Sequence, residues 1–198
     1  VAAKCNVTTP HEEVTCISAP GVGTRHYWLL AVGNQSSEIS TISTSYTGPS
    51  ISSFDDQYGR GGLGLDTNGG TLLTIVGHNF GPPVALNMAN VTYRNPELFG
   101  DYGNKYDPSS TCTVTSQTTI VCTALPGSGS GHRWMAQVGG QRSPASANDT
   151  YTSYAGPRID MVKVIGRSSL STAGGTQVNI TGRNFGPITT SGVFAQYR

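Results

Sequence analysis

The sequence predicts an all-β chain of tandem two-sheet sandwiches, and three observations carry that expectation. Gly is abundant at 26 of 198 residues and Ser plus Thr reach 45, while charged residues are only 12%, half the roughly 25% of an average soluble domain. Apolar and β-branched residues alternate over short stretches between Gly-containing turns, and no window sustains a helical period. Finally, a long unit recurs, which points to a repeat architecture before any single element is placed.

The repeat has three landmarks in fixed order. Ser45-Tyr46-Thr47-Gly48-Pro49 returns as Ser153-Tyr154-Ala155-Gly156-Pro157, each followed by an isoleucine, Ile51 or Ile159. Gly69-Gly70-Thr71 through Gly77-His78-Asn79-Phe80-Gly81-Pro82 returns as Gly174-Gly175-Thr176 through Gly182-Arg183-Asn184-Phe185-Gly186-Pro187. Cys16 is followed by Pro20, Gly21, Gly23, Trp28, Val32 and Gly33, and Cys122 by Pro126, Gly127, Gly129, Trp134, Val138 and Gly139 at the same offsets. Residues 48–155 hold all three landmarks and are read as one complete unit. Residues 1–47 carry only the closing half of a unit, and 156–198 only the opening half. Joined in the order 156–198 then 1–47 they make one whole unit, lacking only a counterpart of the polar stretch from about Asn95 to Pro108, which is read as a surface loop.

Each element follows from its local pattern. Cys5-Asn6-Val7-Thr8 and Cys112-Thr113-Val114-Thr115 alternate, cross a polar turn and return as Val14-Thr15-Cys16 or Ile120-Val121-Cys122, so each reads as a strand pair. Trp28–Val32 and Trp134–Val138 are further strands. Thr71–Val76 and Thr176–Thr181 alternate between Gly pairs; Leu73, Ile75, Val178 and Ile180 should face the core, turning Asn179 outward. The two Cys of each pair lie 11 and 10 residues apart at equivalent places. Of the three pairings four cysteines allow, the repeat favours Cys5 with Cys16 and Cys112 with Cys122; four buried thiols is the other reading. No CxxC or His cluster supports zinc.

These residues together resemble the IPT/TIG domain: Gly-Pro-x-Ile, Gly-Gly-Thr, Gly-x-Asn-Phe-Gly, then Cys and Cys-x-x-x-Pro-Gly-x-Gly. The resemblance implies an immunoglobulin-like, E-set β-sandwich. Such domains occur in plexin-type receptors, extracellular proteins of protists and algae, beside starch-acting enzymes, and in certain transcription factors. The paired Cys resemble the extracellular branch. The motif residues are turn glycines and core positions, so the resemblance implies a fold and names no reactive site.

Net charge is +1 with a pI near 7.8, which offers no surplus cation for a phosphate backbone and argues against nucleic acid. The longest apolar run, Tyr27–Val32, is far short of the roughly 20 residues that span a bilayer. No initiator Met or charged-then-apolar leader stands at Val1, which is read as a processed terminus or an internal boundary.

Five sequons, at Asn6, Asn34, Asn90, Asn148 and Asn179, mark N-glycosylation positions, and O-glycans on Ser or Thr are a further covalent modification; no other cofactor is expected. Together with paired Cys they point to a secreted or cell-surface glycoprotein. His11-Glu12-Glu13 sits in the turn between two Cys strands, where solvated charge is ordinary. Asp66-Thr67-Asn68-Gly69-Gly70 lacks the downstream Glu of a calcium loop and reads as a Gly turn. Gly127-Ser128-Gly129-Ser130-Gly131 reads as a flexible turn, not a nucleophile elbow. Trp28 and Trp134 belong to the sandwich wall by their repeat position, sugar stacking being the alternative, and Tyr46 and Tyr154 are placed at domain junctions. No catalytic or metal residue is expected.

The expected function is a non-enzymatic structural protein of an extracellular fibril or array. Its partners are other copies of itself, head to tail, through Val1, Ala2, Val7, Val193, Phe194, Tyr197 and Arg198, since a half-unit cannot bury enough surface alone; the other reading is that the polypeptide continues and each half-unit is completed by adjoining chain in a long covalent array. The alternatives are a receptor or adhesin ectodomain binding protein or glycan through the 95–108 loop, and an accessory module of a polysaccharide-acting enzyme.

Overall fold

The computed structural model describes residues 4–83, 89–95, 105–190 and 192–197. Among the described residues it is all-β, relieved only by a 3₁₀ turn at Ser109–Thr111. The N-terminal flank carries β1 (Cys5–Thr9), β2 (Glu13–Cys16), β3 (His26–Tyr27), β4 (Ala31–Val32), β5 (Gln35–Ser36) and β6 (Ser43–Thr44). The central region carries β7 (Ser50–Asp56), β8 (Leu63–Leu65), β9 (Leu72–His78), β10 (Asn90–Arg94), β11 (Thr113–Ser116), β12 (Thr119–Thr123), β13 (Arg133–Val138), β14 (Gln141–Arg142) and β15 (Ser153–Tyr154). Then come β16 (Arg158–Val164) and β17 (Val178–Arg183).

The core lies in the central region, between a four-stranded sheet ordered β11-β12-β9-β7 and a three-stranded sheet ordered β10-β13-β14. Alternation does the work: β9 reads outward, inward in turn, so Leu73 and Ile75 are fully buried, and β13 buries Trp134, Ala136 and Val138 on the same principle. Trp134 bridges the sheets, stacked on Tyr93 at 4.1 Å and tilted against Phe54 of β7 at 5.7 Å. Gly77 is required where β9 crosses β7, since a Cβ there would collide with the Ser50 carbonyl and the Phe80 ring. β15 closes the sandwich by pairing parallel with β8.

Three expectations are corrected. The 95–108 stretch is not wholly a surface loop: 96–104 lie outside the described residues, but Tyr106 is buried and bridges Tyr93 through two backbone hydrogen bonds, and Pro108 is buried beside it. Gly127 is no flexible-turn residue either, for it is buried against the Tyr154 and Tyr106 rings. Trp28–Val32 does not form one strand; β3 and β4 are two-residue pieces pairing with β6 and β5. The central counterpart β13 runs unbroken because β10 lies along it, and β3 and β4 have no such neighbour among the described residues.

Candidate assembly surfaces

Both disulfides form within their strand pairs, Cys5–Cys16 across β1 and β2, and Cys112–Cys122 joining β12 to the residue before β11. The free-thiol alternative is thereby set aside. All five sequon asparagines are exposed, Asn179 on the outward face of β17 as parity requires and Asn34 in a turn with positive φ. His11 and Glu12 occupy the β1–β2 turn and Glu13 opens β2, its carboxylate accepting from the Thr8 hydroxyl at 2.9 Å. Asp66 forms the expected turn, its carboxylate accepting from the Asn68 backbone N–H at 2.8 Å. No group of three or more His, Cys, Asp or Glu suited to a metal occurs among the described residues. Among them, too, no helix is long and apolar enough to cross a membrane.

Four side-chain hydrogen bonds of the central region recur in the flanks. Trp134 Nε1 donates to Thr152 Oγ1 at 2.8 Å, and Trp28 Nε1 to Thr44 Oγ1 at 3.0 Å. Ser146 Oγ accepts from the Trp134 backbone N–H as Ser40 Oγ does from that of Trp28. The Tyr154 hydroxyl donates to Leu125 O and the Tyr46 hydroxyl to Ala19 O, at 2.7 and 2.5 Å. Asn79 and Asn184 donate from Nδ2 to the carbonyls of Gly48 and Gly156, at 3.1 and 3.0 Å. At these positions equal local sequence yields equal local bonding.

What differs is burial. Trp134 is 0% exposed and Trp28 37%; Val138 is 1% exposed and Val32 56%. Leu73 and Phe80 are fully buried, whereas their counterparts Val178 and Phe185 are each 40% exposed. The widest contrast is Tyr93 at 1% against Tyr197 at 87%. Val7, Val193 and Phe194 of the expected interface are also largely exposed, while Val1, Ala2 and Arg198 lie outside the described residues. β2 pairs only with β1 and β17 only with β16 among the described strands, so each presents an open edge beside an uncovered apolar face.

Sequence reasoning missed an aromatic cage that closes one end of the central sandwich. His132 stands edge-on to Tyr93, Tyr106 and Tyr154. Its Nε2 bonds the Ser128 carbonyl at 3.1 Å and therefore carries the proton, and its Nδ1 is buried without a partner. Burial holds His132 below its ordinary pKa, against the raising effect of the Ser128 and Gly129 backbone. Burial likewise pushes the Tyr93 phenol up to about 12 and raises Tyr154 further, their hydroxyls 2.7 Å apart. The recurrence of His26 and Tyr46 at the matching positions was the signal for this cage. It also corrects the junction role expected for Tyr154, which belongs to its own sandwich; Tyr46 contributes to its junction through its carbonyl, which accepts from Gln141 Nε2 at 2.8 Å.

Two polar clefts are lined by residues of the central region together with residues of a flank. One lies between Ser18–Gly21, Tyr46 and Asn79; the other, of about 580 Å³, lies between the Asp66 turn and Gly182–Gly186. In the second, the cations are already engaged, Arg60 with Asp56 at 3.5 Å and Arg183 with Asp160 at 3.3 Å.

No curated protein matches the chain. A family model does: that of the IPT/TIG domain matches residues 64–153, the segment from β8 to β15 that contains three of the four cage residues, Tyr93, Tyr106 and His132, and one disulfide. Residues 64–153 are thus an IPT/TIG immunoglobulin-like domain at the centre of the chain.

Proposed function

We propose that this protein is a structural extracellular glycoprotein, the repeating unit of a linear fibril. In this reading, residues 48–155 are a complete IPT/TIG unit, and residues 156–198 of one copy with residues 1–47 of the next form a second, shared unit. An IPT/TIG domain in a chain with two disulfides fits an extracellular protein, and the five exposed sequons supply places for N-glycans. The single observation that carries the proposal is the burial contrast: positions buried in the central sandwich are uncovered in the flanks, although the local bonding is the same.

The physics favours closure of the two halves. Burying a Trp, Tyr, Phe or Val side chain contributes about 1.5–3 kcal/mol each, and pairing two open strand edges removes an aggregation-prone feature. Because the two surfaces differ and sit on opposite flanks, the contact is heterologous, and repeated application gives an open linear polymer unless its rotation closes a ring. Removing residues 188–198, which carry Val193, Phe194 and Tyr197, tests the proposal. The expected result is loss of long assemblies by electron microscopy with the central unfolding transition unchanged. Long assemblies that persist after this deletion refute it.

A further inference from the structure

We infer that the shared unit has one fixed register: β17 of one copy receives β2 of the next as an antiparallel strand, with Ile180 opposite Val14 and Val178 opposite Cys16. On the other sheet, residues 193–197 run antiparallel to residues 28–32, with Tyr197 opposite Trp28 and Ala195 opposite Leu30. This rests on the shared-unit reading and specifies which residues of the second copy meet which of the first.

The register is transferred from the central sandwich through the fixed sequence offsets. There, Ile75 lies opposite Ile120 and Leu73 opposite Cys122, while Tyr93 lies opposite Trp134 and Val91 opposite Ala136. Two observations support the transfer independently of edge pairing. The first is a compensating exchange of volume. The central pair is Val91 with Ala136, both fully buried, and the corresponding pair is Ala195 with Leu30, so the side that gains bulk faces the side that loses it, as close packing demands. The second is the Tyr46 hydroxyl. It donates to Ala19 O as Tyr154 does to Leu125 O, and Tyr154 in addition meets the Tyr93 hydroxyl at 2.7 Å; the equivalent phenol for Tyr46 is Tyr197 of the other copy. A slip of one residue would turn Ala195 and Tyr197 out of the core and Phe194 into it. In the inferred register Phe194 lies on the outer face, opposite Ala31.

The test uses the full chain, with assembly followed by sedimentation velocity against concentration. Leu30→Ala leaves a void and Ala195→Val overfills, so each alone is expected to weaken end-to-end association by about tenfold or more. The double variant recreates the pair found at 91 and 136 and is expected to recover most of the loss. Both positions are exposed in the single chain and outside the central sandwich, whose unfolding midpoint serves as the folding control. As a second readout, Glu13→Cys with Thr181→Cys, which correspond to the paired Thr119 and Val76, should yield a disulfide ladder on mild oxidation. Glu13→Cys with Asn179→Cys, a two-residue slip, should not. Polymers whose two single effects simply add, or that cross-link equally in both cysteine pairs, overturn the register while leaving the shared unit standing. A wild-type chain that stays monomeric at every concentration overturns the shared unit and the register with it.

Discussion

Replacing each tryptophan in turn separates the central sandwich from the flanks. Trp134 is fully buried, stacked on Tyr93 and bonded to Thr152, itself fully buried. Truncating such a residue to Ala costs about 3–5 kcal/mol in transfer and cavity terms, and stranding the Thr152 hydroxyl adds about 1 kcal/mol or more. That sum rivals the whole stability of many domains, about 5–15 kcal/mol, so Trp134→Ala should leave the central unit at the edge of unfolding. Trp28 makes the same hydrogen bond but is over a third exposed and lies outside that unit. Trp28→Ala should therefore move the central transition by no more than about 0.5 kcal/mol, the usual range for surface changes, while weakening assembly. The assay is urea unfolding of dilute, unassembled chain by circular dichroism. In Trp28→Ala, Trp134 is left as the sole indole reporter, since the chain has two Trp. Equal destabilisation by the two substitutions would refute the reasoning, because it would mean that the flank is already packed within one chain.

Removing the Cys112–Cys122 bridge with paired alanines frees a ring of 10-residue separation, and on chain-entropy grounds should cost the central unit about 3 kcal/mol; the same change at Cys5 and Cys16 should leave that transition in place and lower the assembly constant instead, both read by denaturant titration. His132 predicts an acid-side loss of stability. Its folded pKa is depressed by burial, so the unfolded chain, titrating near 6.5, binds the proton first. Stability is complete above that value and falls as pH drops below it, by up to about 1.4 kcal/mol per pH unit until the folded pKa is reached; His132→Phe should flatten that slope in unfolding measured from pH 7.5 to 5. Asn179→Gln in glycosylated material should lower the intact mass by one glycan without changing assembly, because Asn179 points outward from β17.

The strands of the central sandwich could be read from alternation because each has one buried face: Leu73 and Ile75 are inward and Leu72 and His78 outward, as parity demands. Cysteine pairing was equally plain from the repeat. Tyr106 was not, since nothing in a polar, Gly-rich stretch signals that one Tyr turns back to stack on Tyr93 at 4.7 Å; that contact is decided by packing against His132 and Tyr154, which are distant in sequence. Trp28–Val32 shows the converse limit. It is more continuously apolar than β13, yet only Ala31–Val32 of it forms a strand, the fragment β4, because a strand is completed by its neighbours and not by its own sequence. The His132 cage depended on four residues brought together from four stretches, and only the recurrence of His and Tyr in the repeat hinted at it.

The most direct measurement of the central claim is the native particle mass by light scattering, taken before and after denaturant without reductant. Shared IPT/TIG units held by strand pairing predict large native particles that fall in denaturant to the 20.7 kDa of this chain plus its glycans, with both disulfides intact. A native particle already at that monomer mass would contradict the claim.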